Sequence, residues 1–572
     1  MKRAIKNYFE DIKGYIPILK WLPDYSKKLF RYDVFAGITL AAYAIPVSLA
    51  YASLAGLPPQ YGVYGYLLGG ILYALLGTSK QLAIGPTSAI SLLIGVSLST
   101  MAKGDIQLWI ELSSLTALVF GIMSIILYFL RMSSIINFIN TNVLLGFKAG
   151  AAITIGLTQL PKLFGVTGGG NTFFERLLEL IKQFSDTNIY VLGYGIIAIA
   201  IIMTGEKLLP NKPITIFLVI ISILIFSLTD ISNLGFKTVG EIPVGLPVFH
   251  FPKLHFNQLG EIVPLAAACF LLAYIESVSA GRTLALKNEY EIDARQELLA
   301  LGFANFATSI GNGYPVSGGL SQSAVNDGAG AKTPMALIFS STTIALCLMF
   351  LTGLLKNLPT VILASIVIVA IRTLIDIKEF KRLWKINKQD FVIAIIALLS
   401  VIFFGILYGV IIATIASLLL IIKIVSTPHV AFLGRIPGTN RYSDFSRHPD
   451  NEIINGILLF RVESPLVYFN VANIYNIIWK KIITSDETLK VVIFDLSTSA
   501  FIDSSGARFI KNLYVNLSKI GISLRIVEAH SEVRDILRIE EIEQYFGHVS
   551  RRDSLHDTIS NCLNEHEDIF KI

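Results

Sequence analysis

The chain contains two short segments that place glycine, proline and small hydroxyl residues within apolar sequence: IGPTSA at residues 84–89 and PVSGG at residues 315–319. They belong to two short apolar runs, residues 84–100 and 317–328. Irregular backbone persists at membrane depth only where it is buried in protein or lines a cavity. The two segments therefore predict paired broken helices, a pattern typical of transporter binding sites.

The composition is that of a polytopic membrane protein. Hydrophobic residues make up 53% of the 572 residues, charged residues only 15%, and the mean hydropathy is +0.64. Soluble chains carry about one quarter charged residues. A series of soluble domains, a coiled coil and a disordered tail are excluded. The three cysteines and eight histidines are too dispersed for a disulfide framework or a metal site, so we expect neither metal nor cofactor.

About fourteen apolar segments are predicted to be transmembrane, since a crossing helix needs roughly 20 residues. They cover residues 33–56, 60–77, 84–100, 107–130, 137–161, 189–206, 211–229, 262–285, 293–311, 317–328, 333–354, 359–377, 389–404 and 406–427. The two broken segments are the third and the tenth. A spacing of seven is what a seven-plus-seven inverted repeat requires. The alternative is that glycine and proline only kink ordinary membrane helices.

Basic loops predict the orientation and the domain limits. Residues 1–32 form a basic N-terminal arm, and basic residues recur in 282–295 and 378–388, so these loops and both termini are predicted to be cytoplasmic. Residues 33–427 would be the membrane body, with outward loops near 163–188 and 230–261. No cleavable signal peptide is evident. The chain's net charge of +6 needs no nucleic-acid partner, because its basic residues flank apolar segments.

Glu276 is the one acidic residue within the apolar stretch 265–285. Ionisable residues inside a membrane are costly and are functional by default. We expect Glu276 to be a coupling group that carries a proton, or to bind Na⁺ together with Ser279, one turn away. The alternative is a protonated structural glutamate. Lys148 interrupts another apolar run, and there we favour a side chain that extends to the interface.

Residues 428–572 have the composition of a cytoplasmic α/β domain. Strand-sized apolar runs alternate there with helix-length amphipathic stretches. These are Gly456–Val462, Leu466–Asn470, Val471–Ile483, Leu489–Leu496, Ser505–Ser518 and Ile522–Val527. A Ser/Asp cap is predicted to open a helix at Ser505. Ser505 is also a candidate regulatory phosphosite, because phosphate is favourable at a helix N-terminus.

Several long motifs resemble the SulP (sulfate permease) family in the family's own order, over nearly the whole chain. They are AG at 36–37 with GLPPQYG at 56–62, GTSK at 77–80 with GP at 85–86, GF at 146–147 with GLTQL at 156–160, 317–326, and LP at 358–359 with LID at 374–376. The tail resembles a STAS domain (sulfate transporter and anti-sigma factor antagonist).

The resemblance implies a fourteen-helix inverted repeat with core and gate domains, an elevator-like movement and a homodimer. It places an anion between the N-termini of the third and tenth helices, with the first and eighth helices lining the site. By position, the implied substrate-binding residues are Val47, Tyr51, Thr87, Ser88, Ser317, Gly318 and Gly319, with Glu276 beside them.

The chain departs from the family pattern at two positions. Val47 stands where plant-type sulfate symporters have glutamine, and Gln322 where many relatives have arginine. Two helix N-termini supply a charge of roughly +1 in total, so sulfate beside an ionised Glu276 leaves the site with a net charge of about −2. Sulfate is therefore expected only with a co-bound proton or Na⁺.

The sequence thus predicts a secondary active symporter of an inorganic anion in the cell (inner or plasma) membrane, with sulfate first and bicarbonate or dicarboxylate as alternatives. A second class is a membrane-anchored STAS protein that binds a regulatory partner, and deletion of 428–572 would distinguish it. An enzyme is not expected, since no nucleophile–base motif or P-loop is present.

Overall fold

The computed structural model describes residues 16–133, 141–170, 172–208, 214–229, 231, 234–485, 489–546, 549 and 554–565. The chain forms two compact units, Met1–Ser417 and Leu418–Ile572, and each is described by itself. Residues 1–15 of the predicted N-terminal arm lie outside the described residues.

The first unit is a bundle of apolar helices with two very short strands. In chain order its main elements are α1 (Lys27–Leu54), α2 (Gln60–Leu76), β1 (Ile84–Gly85), α3 (Ser88–Ala102), α4 (Ile106–Phe129), α5 (Thr141–Phe164), α6 (Phe173–Lys182), α7 (Ile189–Leu208), α8 (Ile214–Leu228), α9 (Leu259–Lys287), α10 (Ala294–Ile310), β2 (Ser317–Gly318), α11 (Leu320–Gly328), α12 (Met335–Phe350), α13 (Thr360–Ile371), α14 (Ile377–Ile386) and α15 (Lys388–Ser426), whose last residues belong to the second unit. Every apolar segment predicted from the sequence overlaps one of these helices. The last two segments share α15, which is interrupted between them at Gly405 (φ 81°, ψ 172°).

Five helical segments in the described part are long and apolar enough to cross a membrane. They are Lys27–Leu54, Ile106–Phe129, Asn142–Phe164, Phe256–Lys287 and Lys388–Gly405. Several shorter apolar helices accompany them, among them α3, which begins at the Gly-Pro break.

The helices pack in two sets. In one set α10 packs against α2 and α4, and α12 packs against α1 and α2. In the other, α13 packs against α5 and α7. Glycines permit the close approaches: a Cβ at Gly62 would overlap the carbonyl oxygen of Ser48, so only glycine lets α2 lie against α1 here.

The two broken segments pair with each other. β1 and β2 form an antiparallel pair in which Ile84 lies opposite Gly318 and Gly85 opposite Ser317. Asn305 of α10 fixes β2, accepting from the Val316 N–H (2.9 Å) and donating to its carbonyl (3.1 Å). These bonds satisfy backbone groups that a broken helix leaves without partners.

The second unit is an α/β domain. Its five strands, in sheet order β4 (Tyr442–Asp444), β3 (Val430–Arg435), β5 (Ile457–Val462), β6 (Val491–Asp495) and β7 (Ser523–Val527), are antiparallel as far as β5 and parallel from β5 to β7. Its helices are α16 (Val471–Ile483), α17 (Ser504–Lys519), α18 (Ser531–Ile539) and α19 (Leu555–Glu565). The strands bury apolar side chains on both faces, as strands covered by helices do.

One strand-sized run of this unit is not a strand. Leu466–Asn470 makes a single bridge, from Leu466 to Ile502, and then turns, with the Asn470 side chain accepting from the Val467 N–H (3.0 Å). The side chain of Asn470 accepts a backbone N–H that would otherwise bond to a neighbouring strand, so no strand pairing forms here. Strands β3 and β4 were absent from the sequence-based prediction.

Candidate functional site

A central cavity of about 530 Å³ lies where the broken helices begin. Residues of α1, α3, α5, α9, α11 and α13 line it. Of the residues predicted from the sequence, Val47, Tyr51, Thr87, Ser88, Glu276, Ser279 and Gly319 line this cavity. The structure therefore brings most of the predicted site together around one space.

Both broken helices begin at the wall of the cavity. Thr87 precedes α3 and Gly319 precedes α11, and at neither position does a side chain cap the helix. The first N–H groups of an uncapped helix carry partial positive charge and are open to an anion. Two such N-termini at one cavity have the charge and the free N–H groups that an anion site requires.

Glu276 connects α9 to both broken segments. The Ser317 hydroxyl donates to its Oε2 (3.2 Å), and Thr87 is a further hydrogen-bond partner of the same carboxylate. Ser317 also bonds to the Thr87 hydroxyl (3.3 Å). A change in the charge of Glu276 would therefore act directly on both broken segments.

Ser317 and Gly318 lie behind the cavity wall. Ser317 reaches the site only through Glu276 and Thr87, whereas the Gly318 N–H donates to Ser277 Oγ (2.7 Å) and so is not free for a ligand. We assign Gly318 the task of holding β2 against α9. Ser279 lines the cavity one turn after Glu276.

Lys148 of α5 lines the same cavity and interacts electrostatically with Glu276. The sequence analysis favoured an interfacial position for this lysine, because the apolar run ends close by. The position of Lys148 along the run did not indicate which face of α5 carries it. In the structure, that face of α5 lines the cavity. The charge count made from the sequence omitted this cation.

Gln322 has a structural task that its sequence position did not reveal. Its amide donates to the carbonyl oxygens of Ala83 (2.9 Å) and Ser317 (3.2 Å) and accepts from the Tyr66 hydroxyl. With 4% of its surface exposed, it ties α11 to β2, to the residue before β1 and to α2. The side chain brings no charge to the anion site.

A second buried carboxylate, Glu297, was missed by sequence reasoning. It is fully buried and accepts from the Tyr73 hydroxyl (2.7 Å), the Thr78 N–H (2.9 Å) and the Thr78 hydroxyl (2.6 Å). Its location in the first turn of α10 resembles an ordinary exposed helix start, so the sequence carried no signal. It joins the start of α10 to the chain after α2.

Ser505 lies in the first turn of α17, which begins one residue earlier than predicted. Asp503 is the cap, and its Oδ1 accepts from the Gly506 N–H (2.8 Å) while Oδ2 accepts from the Tyr468 N–H (2.8 Å). Ser505 is half-buried and Ser504 is exposed. Phosphorylation of Ser505 stays a prediction.

An apolar helical bundle with two uncapped helix N-termini at a cavity that also holds Glu276 and Lys148 is typical of a multi-pass membrane transporter for anions. The chain belongs to the sulfate permease family: the family model "Sulfate permease family" matches residues 30–397, and the STAS domain model matches residues 448–560. Members of this family are transporters, not enzymes.

Curated relatives match along nearly their whole length. The chain is 33% identical to "Probable sulfate transporter 4.2" of Arabidopsis thaliana over 97% of this chain and 85% of that protein. It is 27% identical to a probable sulfate transporter of Mycobacterium tuberculosis over 93% of this chain and 95% of the relative.

Solved structures show the same fold at lower identity. The murine Solute Carrier 26 family member A9 anion transporter, solved in the inward-facing state, matches with a TM-score of 0.89 at 23% identity, over 97% of this chain and 95% of that one. The transmembrane domain of a cyanobacterial bicarbonate transporter matches with a TM-score of 0.61 at 20% identity, over 69% and 98%.

Proposed function

We propose that this chain transports sulfate together with a proton that is carried by Glu276. The observation that carries the proposal is the position of Glu276, which lies in the anion cavity, bonds to both broken segments and faces Lys148. Protonation would remove the negative charge nearest to the anion. Binding of the anion and of the proton would then favour each other.

The charge of the cavity supports this coupling. Each helix N-terminus supplies about +0.5, so the two helices and Lys148 together supply roughly +2. With Glu276 protonated, this matches the charge of sulfate. With Glu276 ionised, the cavity is short of one positive charge, and such a deficit is costly away from water. Sulfate would therefore enter with one proton.

The same count favours a second candidate, a monovalent anion such as bicarbonate, when Glu276 stays ionised. The cavity then supplies about +1, and Gln322 adds no charge. A dicarboxylate is the remaining alternative. The printed names of the curated relatives support sulfate as the first choice.

We include several finer features in this proposal. Residues 33–427 would form a seven-plus-seven inverted repeat of core and gate domains, and residues 428–572 the STAS domain. The set that contains α1, α2, α4, α10 and α12 would move as the core against the set that contains α5, α7 and α13, in an elevator-type step. The chain would be a homodimer in the cell membrane with both termini in the cytoplasm.

The test is sulfate uptake into proteoliposomes with and without an inward proton gradient, for wild type and Glu276→Gln. We expect the gradient to drive uptake by wild type only. Glutamine keeps the neutral charge of a protonated glutamate, so the variant should still exchange sulfate across the membrane. Glu261→Gln is the matched control, since Glu261 is exposed on the same helix.

The alternatives give different results. Uptake driven by Na⁺ at equal pH would assign Na⁺ as the co-ion, with Ser279→Ala as the diagnostic variant. Uptake of bicarbonate but not sulfate would refute the sulfate assignment. Gradient-driven sulfate uptake that survives in Glu276→Gln would refute coupling at this residue.

A further inference from the structure

A second cavity of about 290 Å³ lies apart from the central one, among α1, α3, α5 and the loop that leads into α6. This volume is many times the ~15 Å³ that a single water needs. Its lining includes Ser99, Trp109, Thr158, Lys162 and Arg176. Nothing in the central site uses these residues.

The second cavity lies further along the helices that line the central one. On α3, Ser88 lines the central cavity and Ser99 the second. On α5, Lys148 lines the central cavity and Lys162 the second. At 1.5 Å per residue, the two lysines are separated by roughly 21 Å along α5. Both cavities thus lie along the boundary between α5 and the α1–α3 pair.

Two cationic side chains line the second cavity, and no aspartate or glutamate does among the described residues. Within the described ranges, neither Lys162 Nζ nor the terminal nitrogens of Arg176 have a hydrogen-bond or ion-pair partner. Both side chains are partly buried. Glu175 attracts Arg176 from outside the cavity, but no carboxylate among the described residues lies in the lining itself, and partly buried cations favour an anion beside them.

The backbone holds Arg176 in place. Its Nε donates to the Gly170 carbonyl (3.1 Å), and Gly170 has a φ of +87° that suits glycine. A Cβ at Gly170 would lie 2.7 Å from the Arg176 backbone nitrogen, so only glycine fits. The neighbouring Glu175 does not line the cavity; its carboxylate accepts from the Thr172 N–H in the capping box of α6.

Uncharged donors complete the lining. The Trp109 indole N–H is buried and has no hydrogen-bond partner among the described residues. The Gln159 amide also lies along the wall, with one N–H donated to the Thr158 hydroxyl (3.1 Å). The hydroxyl groups of Ser99 and Thr158 line the wall too, but each donates to a backbone carbonyl of its own helix (2.7 Å). Indole, amide, ammonium and guanidinium N–H groups together suit a tetrahedral oxyanion.

We propose that the second cavity is a separate oxyanion site in which Lys162 and Arg176 hold a dianion such as sulfate. Two cations balance two negative charges without a proton. The site would hold the anion on the transport path beyond the central cavity. The choice of sulfate as the ligand rests on the proposed function. The preference for an anion with two negative charges does not, because it follows from Lys162 and Arg176.

The test is protection of an introduced thiol in the full-length protein. The three native cysteines are buried, so Thr167→Cys, at an exposed residue of the second cavity, provides the reactive group. Sodium sulfate should slow its modification by a polar maleimide, compared with sodium gluconate at equal ionic strength. Loss of one charge-assisted hydrogen bond should raise the half-protecting sulfate concentration about tenfold, so we expect this shift for Lys162→Gln and for Arg176→Gln.

Matched variants separate charge from misfolding. Lys162→Arg should restore protection, and Lys182→Gln should leave it unchanged, since Lys182 is exposed on α6 and pairs with Glu179. Ser321→Cys reports independently on the central cavity. Protection at Ser321→Cys without protection at Thr167→Cys overturns the second site and leaves the proposed function intact. The reverse result supports the second site and removes sulfate from the central one. Protection at Thr167→Cys that is unchanged by Lys162→Gln and Arg176→Gln also overturns the assignment.

Discussion

Lys148 is the one fixed cation among the residues that line the central cavity in the described part of the chain. Without it, the helix N-termini alone would face a dianion with roughly half of the required charge. Lys148→Gln should therefore raise the KM for sulfate at least about tenfold, the size of a lost charge-assisted contact. Concentration-dependent uptake measures the effect.

Lys148→Arg is the control for this prediction, because it preserves the charge. It should retain most of the uptake at saturating sulfate. If Lys148→Gln left the KM for sulfate unchanged, the lysine would lie outside the field of the anion, as the interfacial position favoured from the sequence would require.

Asp444 gives the α/β unit a pH-dependent contribution to stability. Burial alone would raise the pKa of its carboxyl, but hydrogen bonds from Ser446 and His429 outweigh burial and hold the pKa below its ordinary value. Since the folded pKa is the lower one, the stabilisation is complete above the unfolded value of about 3.9 and is lost as the pH falls through the folded value.

Asp444→Asn should consequently lower the free energy of unfolding of the α/β unit near pH 7 by on the order of 1 kcal/mol. The difference from wild type should shrink as the pH drops below about 4. Urea titrations followed by the ¹⁹F signal of fluorotryptophan at Trp479 measure this unit within the full chain. A difference that is constant across this pH range would contradict the assignment.

At the scale of single helices, some close contacts are possible only because one residue is glycine. Gly146 of α5 lies against α15, where an added Cβ would overlap the Ala394 carbonyl oxygen. Gly146→Ala should destabilise the membrane unit by about 1–3 kcal/mol, as overpacking does. Thermal unfolding in detergent measures the change.

Gly193 of α7 provides the comparison, because nothing lies within 4 Å of an added Cβ there. Gly193→Ala should be neutral or slightly stabilising, since alanine is the better helix former. Equal losses of stability at both positions would contradict close packing as the cause at Gly146, because Gly193 has open space around an added Cβ.

The sequence predicted the broken elements and missed what joins them. Glycine and proline are local signals, so the starts of α3 and α11 could be placed to within a few residues. The pairing of β1 with β2, the Asn305 clamp on Val316 and the bonds of Gln322 join segments that are distant in the chain, and no local pattern encodes them. The face of α5 that carries Lys148 also depended on tertiary packing.

The same limit explains the errors in the α/β unit. Leu466–Asn470 has the composition of a strand, but an asparagine side chain satisfies its backbone. β4 is only three residues long, and its pairing with β3 is set by the turn between them. Edge elements of this size carry too little periodicity to be predicted.

The whole molecule keeps its anion cavity within one unit. Every residue that lines the central cavity precedes Ser417, and the α/β unit has its own apolar core. A chain that ends at residue 427 should therefore still bind sulfate, with protection of Ser321→Cys as the readout. Loss of protection in a monodisperse, folded truncation would show that the α/β unit is needed for the cavity to form.

The two broken segments that pair at the central cavity are synthesised at widely separated times. Thr87 and Ser317, which bond to each other, are 230 residues apart. Ribosomes add roughly 5–20 residues per second, so the first broken segment waits roughly 10–50 s for its partner. Throughout that interval its unpaired backbone groups are poorly suited to lipid. We therefore expect the first broken segment to need shelter from lipid until residue 317 has been made, and a chain that ends before residue 317 to leave it without its partner strand.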